Sequence, residues 1–277
     1  MCMACGGSDT KDYWGDTSNG GKEEPTENPN ASKPRYIWID AAANFPDFAN
    51  SKENIARDLA LAKDAGFTDI VVDVRPTTGD VLFKTNIVDQ VKFMYAWIGS
   101  NYTKVERTAT WDYLQAFVDE ARKQGLRIHA AINTFVGGNQ IDGGTGLLYR
   151  DQSKAEWATQ MNMQTGIVSV MNTSDPAHPE VQTFLCDLLK DIASYDLDGI
   201  FLDRGRFLNL QTDFSEESRK QFEEYMGGIR IQNYPDDILL PGASSLPATY
   251  PKYLTKRLEF RAKVIYDFMQ KARTAVK

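Results

Sequence analysis

Four polar residues stand where short apolar runs end, and their types could support nucleophilic or acid–base chemistry. Asp40 closes the run YIWID, Arg75 follows DIVVDV, Asn133 lies near the end of RIHAAINT, and Asp203 follows GIFL. A carboxylate in such a position can attack carbon, activate water or move a proton. Arg75 could orient Asp203 or clamp a ligand hydroxyl through its planar fork, and Asn133 could hydrogen-bond the same ligand. Asp80, Arg204 and Arg206 complete the set of substrate-binding candidates. Asp203 is the sharpest of them. Structural alternatives stand beside each role. Asp203 could bridge Arg204 or Arg206, Arg75 could pair with Asp73 or Asp80, and Asn133 could cap the following loop. His129, four residues before Asn133 on the same strand face, reads as a core histidine or as support for that site. His178, before Pro179, reads as helix entry.

Other chemistries find little footing. The chain has two histidines, far apart, and no HxH, HExxH or paired-cysteine spacing, so no metal centre is expected. The carboxylates could hold Ca²⁺, yet no EF-hand-like loop is present. No GxSxG elbow supports a serine triad. No cofactor is expected.

The elements that must position these residues alternate regularly. A helical pattern over Asn54 to Ala65 closes at Gly66, and the strand DIVVDV stops at Arg75-Pro76. Trp111 to Gln124 is amphipathic, with Gly125 as its stop, and the third strand RIHAAINT follows. Glu180 to Tyr195 forms the next helix, entered through Asp175-Pro176 and His178-Pro179, and Gly199 to Leu202 is the fourth strand. Further helical patterns span Glu216 to Met226 and Tyr253 to Ala275. Helix-to-strand links are short, whereas the strand-to-helix links 77–110, 135–174 and 204–252 are long. Length concentrated beyond the strand C-termini is how a parallel barrel builds a site. An open doubly wound sheet is the competing architecture, but no Gly-rich dinucleotide turn follows the first strand. The expected fold is therefore a (β/α)8-type TIM barrel. About four βα units are countable, against eight in a closed barrel, so the expectation is its N-terminal half, truncated at the C-terminus. The first and fourth strands would then have open edges, through which the chain could self-associate.

Composition sets the outer limits. The 277 residues are 42% hydrophobic and 25% charged, with net charge −7, and no basic stripe suits a nucleic-acid partner. No apolar run approaches the roughly 20 residues that span a bilayer. Residues 1–34 are Gly-, Ser-, Asn- and Pro-rich and read as a disordered tether, with 35–277 as the barrel domain. Ala4-Cys5 ahead of that tether has the form of a lipidation site, with Cys5 acylated, and a lipid anchor would be the chain's one contact with a membrane. Cys186 lies in a helical apolar pattern and reads as a core thiol.

The segments YIWIDA, AGFTDIVVDVRP with Gly79-Asp80 beyond it, QGLRIHAAIN, MNTSDPAHPEVQTFL and YDLDGIFLDRGRF together resemble one known family. In order and spacing, over roughly residues 35–208, they are similar to the glycoside-hydrolase-like bacterial lipoproteins related to the α-amylase superfamily. That resemblance implies a TIM-barrel sugar hydrolase at the bacterial cell surface or periplasm, anchored in the outer membrane, with a polysaccharide or oligosaccharide as partner. It also implies that Asp203 is the nucleophile or base, and that the acid is a Glu ending a fifth strand, which is not found here. The family carries a second acidic residue after this Asp, where this chain has Arg204. The loop aromatics Tyr95, Trp97, Tyr102, Trp111, Tyr149 and Trp157 could stack on sugar rings above the barrel mouth or simply pin the loops. Competing readings are a non-catalytic glycan-binding surface lipoprotein and an inactive gene fragment.

Overall fold

The computed structural model describes residues 33–150 and 152–277. Cys5 and nearly all of the expected tether lie outside them. In chain order the strands and helices are β1 (Tyr36–Ile39), α1 (Phe45–Phe48), α2 (Lys52–Asp64), β2 (Asp69–Arg75), β3 (Phe93–Ile98), β4 (Asn101–Glu106) and α3 (Tyr113–Gln124). They continue with β5 (Arg127–Asn133), α4 (Gly146–Arg150), β6 (Ala158–Met163), β7 (Gly166–Ser174), α5 (Pro179–Ala193), β8 (Gly199–Asp203), α6 (Glu216–Tyr225) and α7 (Leu254–Ala275).

Strands β1, β2, β5 and β8 form one sheet in that spatial order, all parallel, joined by crossovers that contain α2, α3 and α5. This is the half of a (β/α) barrel expected from the alternation. The period of two explains which face is covered. Ile37 and Ile39, Ile70, Val72 and Val74, and Ile128, Ala130 and Ile132 point to the helices. There they meet Ile55 and Leu59 of α2, Phe117 and Ala121 of α3, Leu185 and Leu188 of α5, and Phe268 of α7. The intervening residues line the opposite face, the inside of the barrel.

Helix ends are built locally. The Ser51 hydroxyl accepts from the amide of Asn54 (3.1 Å) at the start of α2, and the Asp112 carboxylate accepts from that of Gln115 (3.1 Å) at the start of α3. Gly125 ends α3 at φ 64°, a left-handed conformation that glycine adopts without steric cost.

The long links are not bare loops. The first holds the antiparallel hairpin β3–β4, and the second holds α4 and the hairpin β6–β7. Neither hairpin joins the parallel sheet. The third link folds with α6 and α7 around a second apolar cluster that includes Phe207, Phe214, Phe222, Leu239 and Phe260.

Candidate active site

Alternation along the strands places Trp38 and Asp40 of the first unit, Asp73 of β2, Ala131 and Asn133 of β5, and Asp203 of β8 on the inner face. With Pro76, Thr77 and Arg204 they line a cavity of about 100 Å³ at the C-terminal ends of the strands. Register aligns the carboxyl-bearing positions. Ile39 lies opposite Val72, which carries Asp40 to the level of Asp73; Asp73 lies opposite Ala131, and Asn133 opposite Asp203. The small Ala131 side chain leaves the hollow between β2 and β8.

Asp203 is held by its backbone. Its carbonyl accepts from the Thr134 amide (2.8 Å) and hydroxyl (2.7 Å), and its carboxylate accepts from the Arg204 amide (2.8 Å). Arg204 sits at φ 51°, a left-handed conformation costing a non-glycine residue about 1–2 kcal/mol, so the chain turns sharply just after Asp203. The Asp203 side chain stays exposed to the cavity mouth. Asp40 accepts from the Ala43 amide (2.8 Å) and is likewise exposed. Asn133 donates to the Arg75 carbonyl (3.1 Å) and to Asp73 (3.4 Å).

Asp73 was absent from the candidates drawn from sequence, where it appeared only as an ion-pair partner for Arg75. Only 6% exposed, it is the most enclosed carboxyl of the cavity. Burial first, then the negative charge of Asp40, push its pKa up to about 7. The alternation Val71, Asp73 against Ile70, Val72 was the available signal, masked because the strand reads as one continuous apolar run.

Two expected substrate-binding residues are corrected. Arg75 is 3% exposed and does not face the cavity. A register irregularity between Asp73 and Arg75 sets Arg75 opposite Ile132, a residue of the helix-facing set. Its guanidinium donates to the carbonyls of Asn133 (2.6 Å), Thr134 (2.9 Å) and Val136 (2.8 Å), and lies 5.7 Å from the Phe184 ring. It therefore organises the loop after β5. Asp80, 5% exposed, pairs with Arg150 and accepts from the Gly146 amide (3.2 Å), which ties the first long link to the second. Both side chains are engaged within the chain itself and neither lines the cavity.

Arg206 lies beside the cavity. It lines a groove of about 250 Å³ with Phe135, Asn139, Asn172 and Leu208, and this groove shares Thr77 and Arg204 with the Asp203 cavity. Ligand clefts span about 300–1,000 Å³, a range the two compartments reach only together. His129 sits at the other end of the sheet, bonded through Nε2 to Asp69 (2.9 Å), as the structural alternative required. The loop aromatics do not line the cavity, whose one ring is Trp38. Tyr95 and Trp97 instead contact Tyr102 on the β3–β4 hairpin, Trp111 stacks on Tyr113, and Trp157 is buried. Among the described residues no group of three or more His, Cys, Asp or Glu is arranged to hold a metal ion.

Comparison with known proteins agrees with this architecture. Solved structures with similar folds include the α-L-fucosidase isoenzyme 2 of Paenibacillus thiaminolyticus, with TM-score 0.55 and 16% identity over 88% of this chain and 31% of that one. The catalytic domain of the β-amylase of Paenibacillus polymyxa gives a TM-score of 0.52 and 14% identity over 88% of this chain and 62% of that one. Such neighbours are TIM-barrel glycoside hydrolases, and at these identities they establish the fold alone. An S-layer-related protein of Niallia circulans is 29% identical over 254 residues, which make up 86% of this chain but 15% of that much longer protein. A family model for Glycosyl hydrolase-like 10 matches residues 33–277, nearly the whole chain, and by that match the protein belongs to the Glycosyl hydrolase-like 10 family.

Proposed function

We propose that the protein hydrolyses glycosidic bonds in a polysaccharide or oligosaccharide, with Asp203 as the carboxylate that attacks the sugar or activates water. The observation supporting this is the convergence of Asp203, Asp73 and Asp40 on one cavity at the strand C-termini, where barrels of this class carry their chemistry. Glycoside hydrolysis needs at least two carboxyl groups around the scissile bond. The adjoining groove with Arg206 and Asn172 supplies hydrogen-bonding groups for neighbouring sugar units.

The test is release of reducing ends from a set of soluble polysaccharides, with binding followed in parallel by affinity electrophoresis. Asp203→Asn is expected to lower turnover at least about a thousandfold while retaining binding. Unchanged turnover in that variant removes Asp203 from the mechanism. Binding without hydrolysis by the wild type moves the protein to the glycan-binding reading. Anchoring through Cys5 belongs to the same proposal: a native signal-bearing form should partition into detergent, and Cys5→Ser should abolish that partitioning.

A further inference from the structure

We propose that Asp73 is the proton donor of this cavity, working across it from Asp203, which acts as the base toward water. The proposal rests on the hydrolase reading above and names a second carboxyl of the same cavity as the acid.

The argument begins with what surrounds Asp73. One oxygen accepts from the Arg75 amide (3.2 Å), the other lies 3.4 Å from the Asn133 amide nitrogen, and the Ala41 backbone amide also donates to this carboxyl. The nearest carboxyls are Asp40, one strand away at the same level, and Asp203, two strands away. The one cation that sequence spacing would pair with it, the Arg75 guanidinium, is committed to three carbonyls on the helix side. Arg204 stands at the mouth with Asp203. Behind Asp73, the Tyr113 hydroxyl is fully enclosed and without a hydrogen-bond partner, and the charges of Asp73 and Asp40 both act on it. A buried carboxyl facing two other carboxyls, with the Arg75 guanidinium within reach of its charge but bonded elsewhere, keeps its proton to about neutral pH. Asp203 stands exposed at the rim.

Spacing selects the type of reaction. Adjacent strands are about 4.8 Å apart, so β2 and β8 stand about 10 Å apart, and Asp203 lies two residues further along the sheet than the level of Asp73, which widens the separation of the two backbones. Carboxyls carried by backbones so far apart suit the wider pair that admits a water better than the pair about 5 Å apart that forms a covalent sugar intermediate. Asp73 gives its proton to the glycosidic oxygen as the bond to the anomeric carbon breaks, the bonding electrons going to that oxygen. The water oxygen adds to the anomeric carbon from the opposite side, and its proton goes to Asp203. Solvent then returns the proton from Asp203 to Asp73, and the sugar leaves with inverted configuration.

The test uses the full 277-residue chain, labelled with ¹³C at its aspartate carboxyls and titrated by NMR. One carboxyl should titrate near neutrality, vanish in Asp73→Asn and move down in Asp40→Asn. The signals of Asp175 and Asp213, a separate buried pair, should remain in both variants. A wild type with no elevated titration beyond that pair overturns the proposal, whether or not Asp73→Asn folds. Activity is read on methyl hexosides, whose leaving group needs a proton, and on 2,4-dinitrophenyl hexosides, whose leaving group does not. Asp73→Asn should lose at least about 100-fold on the first and less than about tenfold on the second, whereas Asp203→Asn loses both. Equal losses from Asp73→Asn on the two substrates overturn the donor role alone. A wild type that cleaves neither overturns the hydrolase reading and the donor role with it. Retention of anomeric configuration in the released sugar overturns the assignment of Asp203 as base.

Discussion

Arg75 shows how a residue type can suit one role while its local backbone dictates another. A guanidinium at a strand end has the chemistry of a sugar clamp, yet the irregular pairing after Asp73 turns it toward α5. Burial lowers its pKa to about 10, so it remains a cation at neutral pH, donating from its two terminal nitrogens to three carbonyls of the chain after β5. Arg75→Met would leave these acceptors without their donor in a dry site. It is expected to lower unfolding free energy by about 3 kcal/mol, read from the midpoint of urea denaturation. A change below about 0.5 kcal/mol would show that water replaces the guanidinium. The positions of Asp40, Asn133 and Asp203 were legible because each ends an apolar run. The re-aimed Arg75 was not, since a one-residue slip in pairing leaves no mark on composition or period. Asp73 was legible in principle, because it alternates in step with Val71.

Elements were readable where a single period governs them. The four parallel strands and the helices α2, α3 and α5 carry clean periods, and their bounds match the expected ones to within about two residues. The hairpins β3–β4 and β6–β7 were not, because NYTKVE and ATQMNM show no apolar alternation, and each pairs with the other strand of its own hairpin, NYTKVE with β3 and ATQMNM with β7. After β8 the helical patterns over Glu216 to Met226 and Tyr253 to Ala275 match α6 and α7, but the core that joins them was not readable: it is assembled from residues spread between Ala177 and Val264 without a common period. Its polar anchor is equally dispersed. Ser215 caps α6 and donates to Asp175 (2.7 Å), Asp213 accepts from the amides of Gln160 (2.9 Å) and Ser215 (2.6 Å), and Arg257 of α7 donates to the Asp213 carbonyl and the Ser218 hydroxyl. Burial, and Asp175 beside it, push Asp213 up to about 7. The native state therefore holds a proton that the unfolded chain releases near pH 4. The stability this proton brings is complete below that value and is lost as pH rises through about 7, at about 1.4 kcal/mol per pH unit between the two. Asp73 contributes with the same sign. The melting temperature should fall from pH 5.5 to pH 8, and Asp213→Asn should flatten the fall. A profile that rises across this range would count against a protonated Asp213.

At the scale of the molecule, the sheet has one face under helices and one without a partner among the described residues. Tyr36, Trp38 and Phe201 lie on that second face, 48%, 45% and 36% exposed, and meet edge to face at centroid distances of 5.5–6.0 Å. Among the described residues, the two outer strands, β1 and β8, also have one unpaired edge each. Such a surface is costly in water, because every ring left exposed forgoes the burial energy that covered residues gain. The 277-residue chain on its own is therefore expected to self-associate through this face, with sedimentation coefficients that rise with concentration. Trp38→Glu should weaken association at least about tenfold, because one buried aromatic commonly anchors a contact of this kind. Leu61→Glu, at an exposed position on the helix side, serves as the control and should leave it unchanged. Concentration-independent sedimentation as a monomer would mean that the rings satisfy one another well enough to stand in water. Because Trp38 also lines the Asp203 cavity, association on this face would narrow access to the carboxyls. Turnover per chain should then fall as protein concentration rises, and Trp38→Glu should lessen that fall if the two surfaces are continuous.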